Sequence, residues 1–292
     1  MAQSVVDREP ARAKVNLYLH VVGRRADGYH DLDSLVAFAD FGDELTVSPA
    51  DDLSLRVEGA MAAALAGEDD NLALRAARLL ADEFAVDAGA AIGLCKTLPV
   101  AAGLGGGSAD AAAALRLLSR YWRLSPPSER LQRLALTLGA DVPVCLLGRP
   151  ARMGGIGDRL EPLSAFPALP LVLANPGLPV ATPDVFHHSS VRSGLAAWPR
   201  QGLGDSAGLL AFLAGCGNDL QPAAEHLVPE IALVAGALAG SEGCRIARMS
   251  GSGASCFGLF LDAAQADAAA RRLRRDHPAW WVAAGRLAGA GP

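Results

Sequence analysis

Pro99-Val100-Ala101-Ala102-Gly103-Leu104-Gly105-Gly106-Gly107-Ser108-Ala109-Asp110 is the stretch on which the reading of this chain turns. It follows the apolar run Ala90-Ala91-Ile92-Gly93-Leu94-Cys95 and leads into Ala111-Ala112-Ala113-Ala114-Leu115-Arg116-Leu117-Leu118, a run of strong helix formers. The order predicts a strand, a glycine loop and a helix that starts near Ser108. Four glycines in the five positions 103–107 remove the side chains that would keep a ligand off the backbone. They also allow positive φ, so that successive N–H groups can turn inward as an anion nest. The helix start adds unpaired N–H groups and the positive end of a dipole, worth ~0.3–1 kcal/mol per negative charge at an exposed site. A phosphate fits such a place. The competing reading is a plain tight connection, which does not call for a helix N-terminus beside the glycines. Two familiar phosphate loops are excluded by spelling: no Gly-Lys-Ser/Thr closes the stretch, and no G-x-G-x-x-G precedes an acidic strand end.

The whole chain sets the bounds within which that loop works. At 292 residues and 51% hydrophobic, it can form one large domain or two ordinary ones. A formal net charge of −5 argues against nucleic acid or an anionic membrane surface as the main partner. No segment reaches ~18 uninterrupted apolar residues, and no apolar signal core opens the chain, so the expected location is the cytoplasm. The five cysteines show no C-x-x-C spacing and read as reduced, mostly buried small residues rather than a disulfide framework or zinc site. Of the 26 basic residues only Lys14 and Lys96 are lysines. A compact ammonium in place of arginine's planar fork can matter at both, although two cases also fit chance.

Residues 13–22 alternate, with Ala13, Val15, Leu17, Leu19 and Val21 on one face and Lys14, Asn16, Tyr18 and His20 on the other, which predicts a half-buried strand. A turn at Arg24-Arg25-Ala26-Asp27-Gly28 precedes Tyr29 and His30. Residues 34–41 and 43–47 read as a strand pair, 53–57 as a short strand and 71–84 as a helix. A further helix runs from Ser128 to Gly139, followed by Asp141 between a helix end and Pro143. Prolines 162, 167 and 170 punctuate a boundary near residue 160, predicting domains of 1–160 and 161–292. Beyond it come a buried strand at 169–174, a helix start with Thr182 as N-cap and Pro183 in its first turn, and a polar, Gly-rich loop region at 187–217. Helices at 220–226, 228–239 and 263–276 and strands at 256–261 and 280–284 complete an α+β chain.

Four features then converge: the glycine loop, the strand with Lys14 and Asn16, Gly139-Ala140-Asp141-Val142-Pro143, and a second loop, Met249-Ser250-Gly251-Ser252-Gly253. Together they resemble the small-molecule kinase superfamily that includes galactokinase, homoserine kinase and mevalonate kinase. Arg24-Arg25-Ala26-Asp27-Gly28-Tyr29-His30 and Gly217-Asn218-Asp219-Leu220 match as well, and Asp27-Gly28-Tyr29-His30 narrows the resemblance to the 4-diphosphocytidyl-2-C-methyl-D-erythritol kinases of non-mevalonate isoprenoid biosynthesis. The matching pieces run in the family's order from residue 11 to about 261.

The resemblance implies a two-domain α+β fold with its active site in the cleft between domains. It places the phosphates of ATP on residues 99–109, with a divalent ion, Mg²⁺, for which no acidic ligand identifies itself and Ser108 is a candidate contact. It makes a CDP-linked alcohol the small-molecule partner, with its 2-hydroxyl as acceptor. Asp141 becomes the general base and Lys14 the cation beside it. Asn16, Tyr29, His30 and Phe186 become substrate contacts, with Tyr29 and Phe186 on the two faces of the cytosine and His30 at its edge. Taken alone, these residues keep plainer readings: Lys14 as a strand-edge charge, Asp141 as a turn residue, Phe186 as core, and Asp110 as a helix-dipole partner. Two departures stand out, Arg12 in place of the family's usual proline and Ala109 in place of a second loop serine.

Overall fold

A computed structural model of the chain describes residues 7–66, 70–189, 198 and 203–289. The backbone falls into two compact units whose sequences interleave. The first comprises Met1–Ala13, Phe41–Val100 and Gly105–Gly148; the second comprises Lys14–Asp40, Ala101–Leu104 and Arg149–Pro292. Two long paired strands, β1 (Asp7–Arg24) and β2 (His30–Ser48), therefore each contribute one end to each unit. The two strands expected at 34–41 and 43–47 are this one strand. Gly42, which suggested a break, is instead where β1 comes close: a Cβ there would collide with the Ala11 carbonyl.

In the first unit the Glu44–Ser48 end of β2 pairs antiparallel with β4 (Ala90–Cys95), which pairs parallel with β3 (Leu53–Glu58). Four helices accompany them: α1 (Leu72–Phe84), α2 (Gly106–Tyr121), α3 (Ser128–Leu138) and α4 (Val142–Leu147). Asn71 starts α1 by accepting the Ala73 N–H at 2.9 Å. Ala73, Ala76 and Ala77 of α1 and Ala111 to Ala114 of α2 are all fully buried, and α1 packs on α2. Faces of such small side chains let helices approach closely, while Leu80, Leu115 and Leu118 fill the remaining core.

In the second unit the Leu32–Val36 part of β2 pairs antiparallel with β5 (Ala151–Gly155), which continues to β6 (Arg159–Pro162). Then follow β7 (Pro170–Asn175), α5 (Thr182–His188), α6 (Ser206–Ala214), α7 (Gln221–Leu227), α8 (Glu230–Ala239), β8 (Cys244–Met249), β9 (Cys256–Phe260), α9 (Ala263–Asp276) and β10 (Trp281–Arg286). The four strands form an antiparallel sheet in the order β10-β7-β9-β8. Val172 and Ala174 of β7, Phe260 of β9, Ile231, Val234 and Leu238 of α8, and Leu273 of α9 share one core. Helix α6, capped by Asp205 through the Gly208 N–H at 2.8 Å, occupies part of the region expected to be loop. Residues 190–197 and 199–202 of that region lie outside the described residues. Thr182 does not cap α5: Ala181 holds the cap position, and the Thr182 hydroxyl meets that of Ser252 at 2.8 Å. No helix among the described residues is long and apolar enough to cross a membrane.

The crossing at Gly42 generates a stability prediction. Gly42→Ala forces β1 and β2 apart at buried backbone, and is expected to cost ~1–3 kcal/mol, as overpacking does. Urea unfolding should show a lowered midpoint with an unchanged slope.

Candidate functional site

The glycine loop forms by alternation. Ala101, Gly103 and Gly105 take positive φ, at 51°, 73° and 61°, while Ala102 and Leu104 between them are buried. The buried pair anchors the segment and the intervening residues turn the backbone. Alanine at positive φ is strained, and such strain persists only where the surroundings fix it. Helix α2 starts at Gly106, two residues before the expected Ser108, and its cap residue Gly105 provides no side-chain cap. A helix N-terminus lacking a side-chain acceptor, beside a backbone that alternates in this way, suits an oxyanion ligand.

Residues 101–104, which belong to the second unit, are tied within it. The Lys14 N–H donates to the Leu104 carbonyl at 2.9 Å, and the Ser255 N–H donates to that of Ala102 at 3.0 Å. The Ser250 hydroxyl donates to the Gly103 carbonyl at 3.0 Å. A Cβ on Gly103 would run into the backbone of Ser250 and Gly253. The loop at 249–255 is thus the wall against which the glycine stretch is pressed. Asn218 holds that wall by donating to the carbonyls of Met249 and Gly251 at 2.9 and 2.8 Å.

Beside the first turn of α2, in the first unit, lies a buried ion cluster. Lys96 Nζ sits 2.6 Å from Asp43 Oδ2 and 2.6 Å from Asp110 Oδ2, with all three side chains almost fully buried. Asp43 Oδ1 also accepts the N–H groups of Thr97 and Leu98 at 2.6 and 2.8 Å. A Cβ on Gly106 would lie 3.1 Å from the ammonium, so the lysine rests against the first residue of the helix. Burial works against the charge on Lys96, but the Asp110 and Asp43 carboxylates outweigh it and hold its pKa above the ordinary value. Burial pushes Asp110 up to about 7, despite the attraction of Lys96 and with the repulsion of Asp43 adding to it. Asp110 is therefore more than a partner for the helix dipole: it is half of the cluster that joins strand end to helix start.

Strand β1 departs from the expected half-burial, since residues 13–21 are buried on both faces. Lys14 is 3% and Asn16 1% exposed. The polar face is covered by groups that satisfy it: the Asn16 N–H donates to Ser250 Oγ at 3.1 Å, and Tyr18 donates to Asp33, itself held by Arg152 at 2.8 Å. Asp219 accepts the Val21 N–H at 3.0 Å and meets His20 Nδ1 at 3.1 Å. Tyr29, at a turn, is 60% exposed. His30 and Phe186 stack with centroids 5.1 Å apart and planes 24° from parallel. Burial, then the Arg24 charge, depresses the His30 pKa and favours the neutral ring. Lys14, Asn16, Tyr29, His30 and Phe186 thus all belong to the second unit.

Asp141 belongs to the first unit, as the half-buried N-cap residue of α4. Pro143 stands in the first turn of that helix, and its far end is gripped by Arg116, which donates to the Cys145 carbonyl at 2.8 Å and to Glu9 at 2.6 Å. The loop residues Pro99, Val100, Gly105, Gly106, Gly107, Ser108 and Ala109 lie in this unit too. Among the described residues no group of three or more His, Cys, Asp or Glu side chains is arranged to hold a metal ion. Sequence reading missed the Lys96 cluster and the 2.8 Å hydrogen bond that Asn16 Nδ2 donates to Ser34 Oγ. The scarcity of lysine was the one signal that could have led to the first.

Comparison with known proteins bears on the same segments. Residues 71–149 match the model of the GHMP kinases N terminal domain, and residues 194–279 that of the GHMP kinases C terminal domain. A 4-diphosphocytidyl-2-C-methyl-D-erythritol kinase of Paramagnetospirillum magneticum is 53% identical, covering 95% of this chain and 97% of its own. A crystal structure of a 4-(cytidine 5'-diphospho)-2C-methyl-D-erythritol kinase superposes with a TM-score of 0.81 at 38% identity, covering 97% of this chain and 100% of the other. A homoserine kinase from Cytophaga hutchinsonii shares the fold, with a TM-score of 0.71 at 18% identity over 98% of this chain and 96% of its own.

The ion cluster makes stability depend on pH. The unfolded Asp110 ionises near 3.8, whereas the folded one keeps its proton to about 7. Between those values the folded state holds more protons than the unfolded state, so this residue makes stability fall as pH rises through the window. Asp110→Asn cannot titrate. Denaturant unfolding at a series of pH values should show the wild type losing stability relative to this variant from about pH 4 to about 7.

Proposed function

Because the chain belongs to the GHMP kinases, and within them to the 4-diphosphocytidyl-2-C-methyl-D-erythritol kinases, we propose that Lys14 and Asp141 carry the family's phosphoryl transfer here. The protein is an ATP-dependent kinase that phosphorylates the 2-hydroxyl of 4-diphosphocytidyl-2-C-methyl-D-erythritol in non-mevalonate isoprenoid precursor biosynthesis. The observation that carries this conclusion is the 53% identity across 95% of the chain. The division of labour we infer keeps residues 1–160 as the ATP-binding and catalytic part and 161–292 as the substrate-binding part, and the working place as the cytoplasm.

The residues take their roles from their chemistry. The N–H groups at the start of α2 and along the alternating backbone of 101–105 donate to the phosphates of ATP, on residues 99–109. Asp141 takes the proton of the 2-hydroxyl as its oxygen attacks the γ-phosphorus, and the bond from that phosphorus to the β-bridging oxygen breaks, leaving ADP. Lys14 supplies the cation that offsets charge on the transferring group. Positioning and charge neutralisation supply most of the acceleration in such reactions. Ser108, whose hydroxyl lies in the first turn of α2, would be the protein contact of a Mg²⁺ ion bound with ATP, and that ion would supply charge neutralisation at the phosphate oxygens. At the other end of the substrate, Asn16 meets the alcohol part. Tyr29 and Phe186 flank the cytosine while the neutral ring of His30 bonds its edge, base stacking being worth ~1–3 kcal/mol.

Two outcomes test this reading. In coupled assays with ATP, the purified protein should turn over the CDP-linked alcohol and leave homoserine and mevalonate untouched; turnover of either rival alone would overturn the substrate assignment. Asp141→Asn should lower kcat by ~10²–10⁴ while ATP binding by calorimetry is retained, the scale expected for loss of a general base. An unchanged kcat would remove Asp141 from the reaction.

A further inference from the structure

Asn16 is buried to 1% exposure, yet its carbonyl oxygen Oδ1 has no hydrogen-bond partner. Buried polar atoms are almost always paired, so an orphaned one is informative. The rest of the side chain is fixed. Asn16 Nδ2 donates to Ser34 Oγ at 2.8 Å, and Ser34 Oγ donates to the Tyr18 carbonyl at 2.6 Å. A hydroxyl has one hydrogen, and a carbonyl can only accept. The hydrogen of Ser34 is therefore committed to Tyr18, and towards Asn16 the serine can only accept. The amide must present nitrogen to Ser34 and oxygen away from it.

Both anchors are rigid. Ser34 is fully buried in β2, opposite Met153 of β5 in the antiparallel register. The backbone of Asn16 is held through Ser250 Oγ at 3.1 Å. The freed oxygen lies beside Gly251, where an added Cβ would stand 3.4 Å from it and 2.9 Å from the Gly103 carbonyl, so a donor reaches Oδ1 only where these two loops give way to it. An acceptor held in this way recruits a donor, such as a hydroxyl or amine of a ligand, and repels phosphate and carboxylate oxygens.

Resting on the function proposed above, we infer that Ser34 is a positioning residue for the acceptor alcohol: by locking the polarity of the Asn16 amide, it makes the site demand a hydroxyl donor from the polyol part of the substrate. Ser34 touches no reacting atom and acts only through Asn16. With Ser34→Ala, the amide can turn its nitrogen to the ligand, and the donor of the substrate then meets a second donor.

The test is a double-mutant cycle on kcat/KM for the alcohol that the wild type turns over, with the KM for ATP measured alongside. Ser34→Ala should lower kcat/KM ~10-fold, the scale of one hydrogen bond, and leave the KM for ATP within ~2-fold. Ser34→Thr, which keeps the hydroxyl, should restore most of the loss. Asn16→Ala should lose more, and the double variant S34A/N16A should be no worse than Asn16→Ala alone, because Ser34 has nothing left to orient. Additive losses, or a KM for ATP that rises in step, would show a general packing role and overturn the inference. If Ser34→Ala folds poorly, Ser34→Cys keeps the volume with a weak acceptor and must give the same non-additivity. A wild type that uses a different alcohol overturns the substrate assignment, while the cycle on that alcohol still decides the role of Ser34.

Discussion

One ammonium shared between two buried carboxylates underlies the arrangement of the first unit. Lys96 ends the strand that leads into the glycine stretch, Asp110 sits in the helix that leaves it, and Asp43 reaches in from β2 to hold both Lys96 and the N–H groups of Thr97 and Leu98. Each buried ion costs on the order of several kcal/mol in lost hydration. Such a cluster is a poor way to gain stability and a good way to gain geometry, because removing Lys96 leaves two carboxyl groups buried together without their shared cation. The cluster therefore fixes the separation of the two stems of the loop independently of what the glycines do. A loop that must expose N–H groups cannot be held by its own side chains, since it has almost none, and its stems carry that task instead.

The second unit applies a different device to the middle of the same loop. Besides the buried side chains of Ala102 and Leu104, residues 101–104 are held through backbone carbonyls, by the N–H groups of Lys14 and Ser255 and the hydroxyl of Ser250. Using carbonyls for anchoring leaves the amide hydrogens to be turned elsewhere, which the alternating positive φ values accomplish. Ser250 is economical: it accepts from the Asn16 N–H and donates to the Gly103 carbonyl, so one buried hydroxyl sets the relation of β1 to the loop. Asn218 fixes the loop that carries Ser250. The Gly-Asn-Asp-Leu motif is thereby explained as support for the site rather than as part of it.

Much of this was legible in the sequence, and the failures share one physical origin. Helix α9 and the starts of α1, α3 and β7 follow local signals, namely caps, prolines and apolar runs, and those signals decide locally. The loop and its helix were found from glycine spacing, whereas the roles of Lys14, Asn16 and Asp141 rest on the resemblance alone. What was missed depends on neighbours distant in sequence. The apparent break at Gly42 is a glycine made necessary by β1, some thirty residues away. The alternation in residues 13–22 pointed to one solvated face, yet both faces are buried because a polar face can be covered once polar partners such as Ser250, Asp33 and Asp219 arrive from elsewhere. Ala101 at positive φ could not be read from an alanine at all. Asp110 looked like a helix-start acid because its actual partner lies fourteen residues upstream, on the other side of the glycines.

The burial of β1 bears directly on chemistry. The roles proposed for Lys14 and Asn16 gain from side chains unable to reorganise, since preorganised charges and dipoles lower a barrier only if they need not first be turned into place. A solvated strand edge would leave both side chains free to rotate and hydrated. Here the strand is covered on both faces, its backbone N–H groups at 14 and 16 are spoken for by Leu104 and Ser250, and the Asn16 amide is oriented through Ser34. The cost of burying the Asn16 amide is offset by the hydrogen bonds of its backbone N–H and of Nδ2, while Oδ1 is left without one. The same coverage that obscured the strand in the sequence is thus what holds its polar side chains in place.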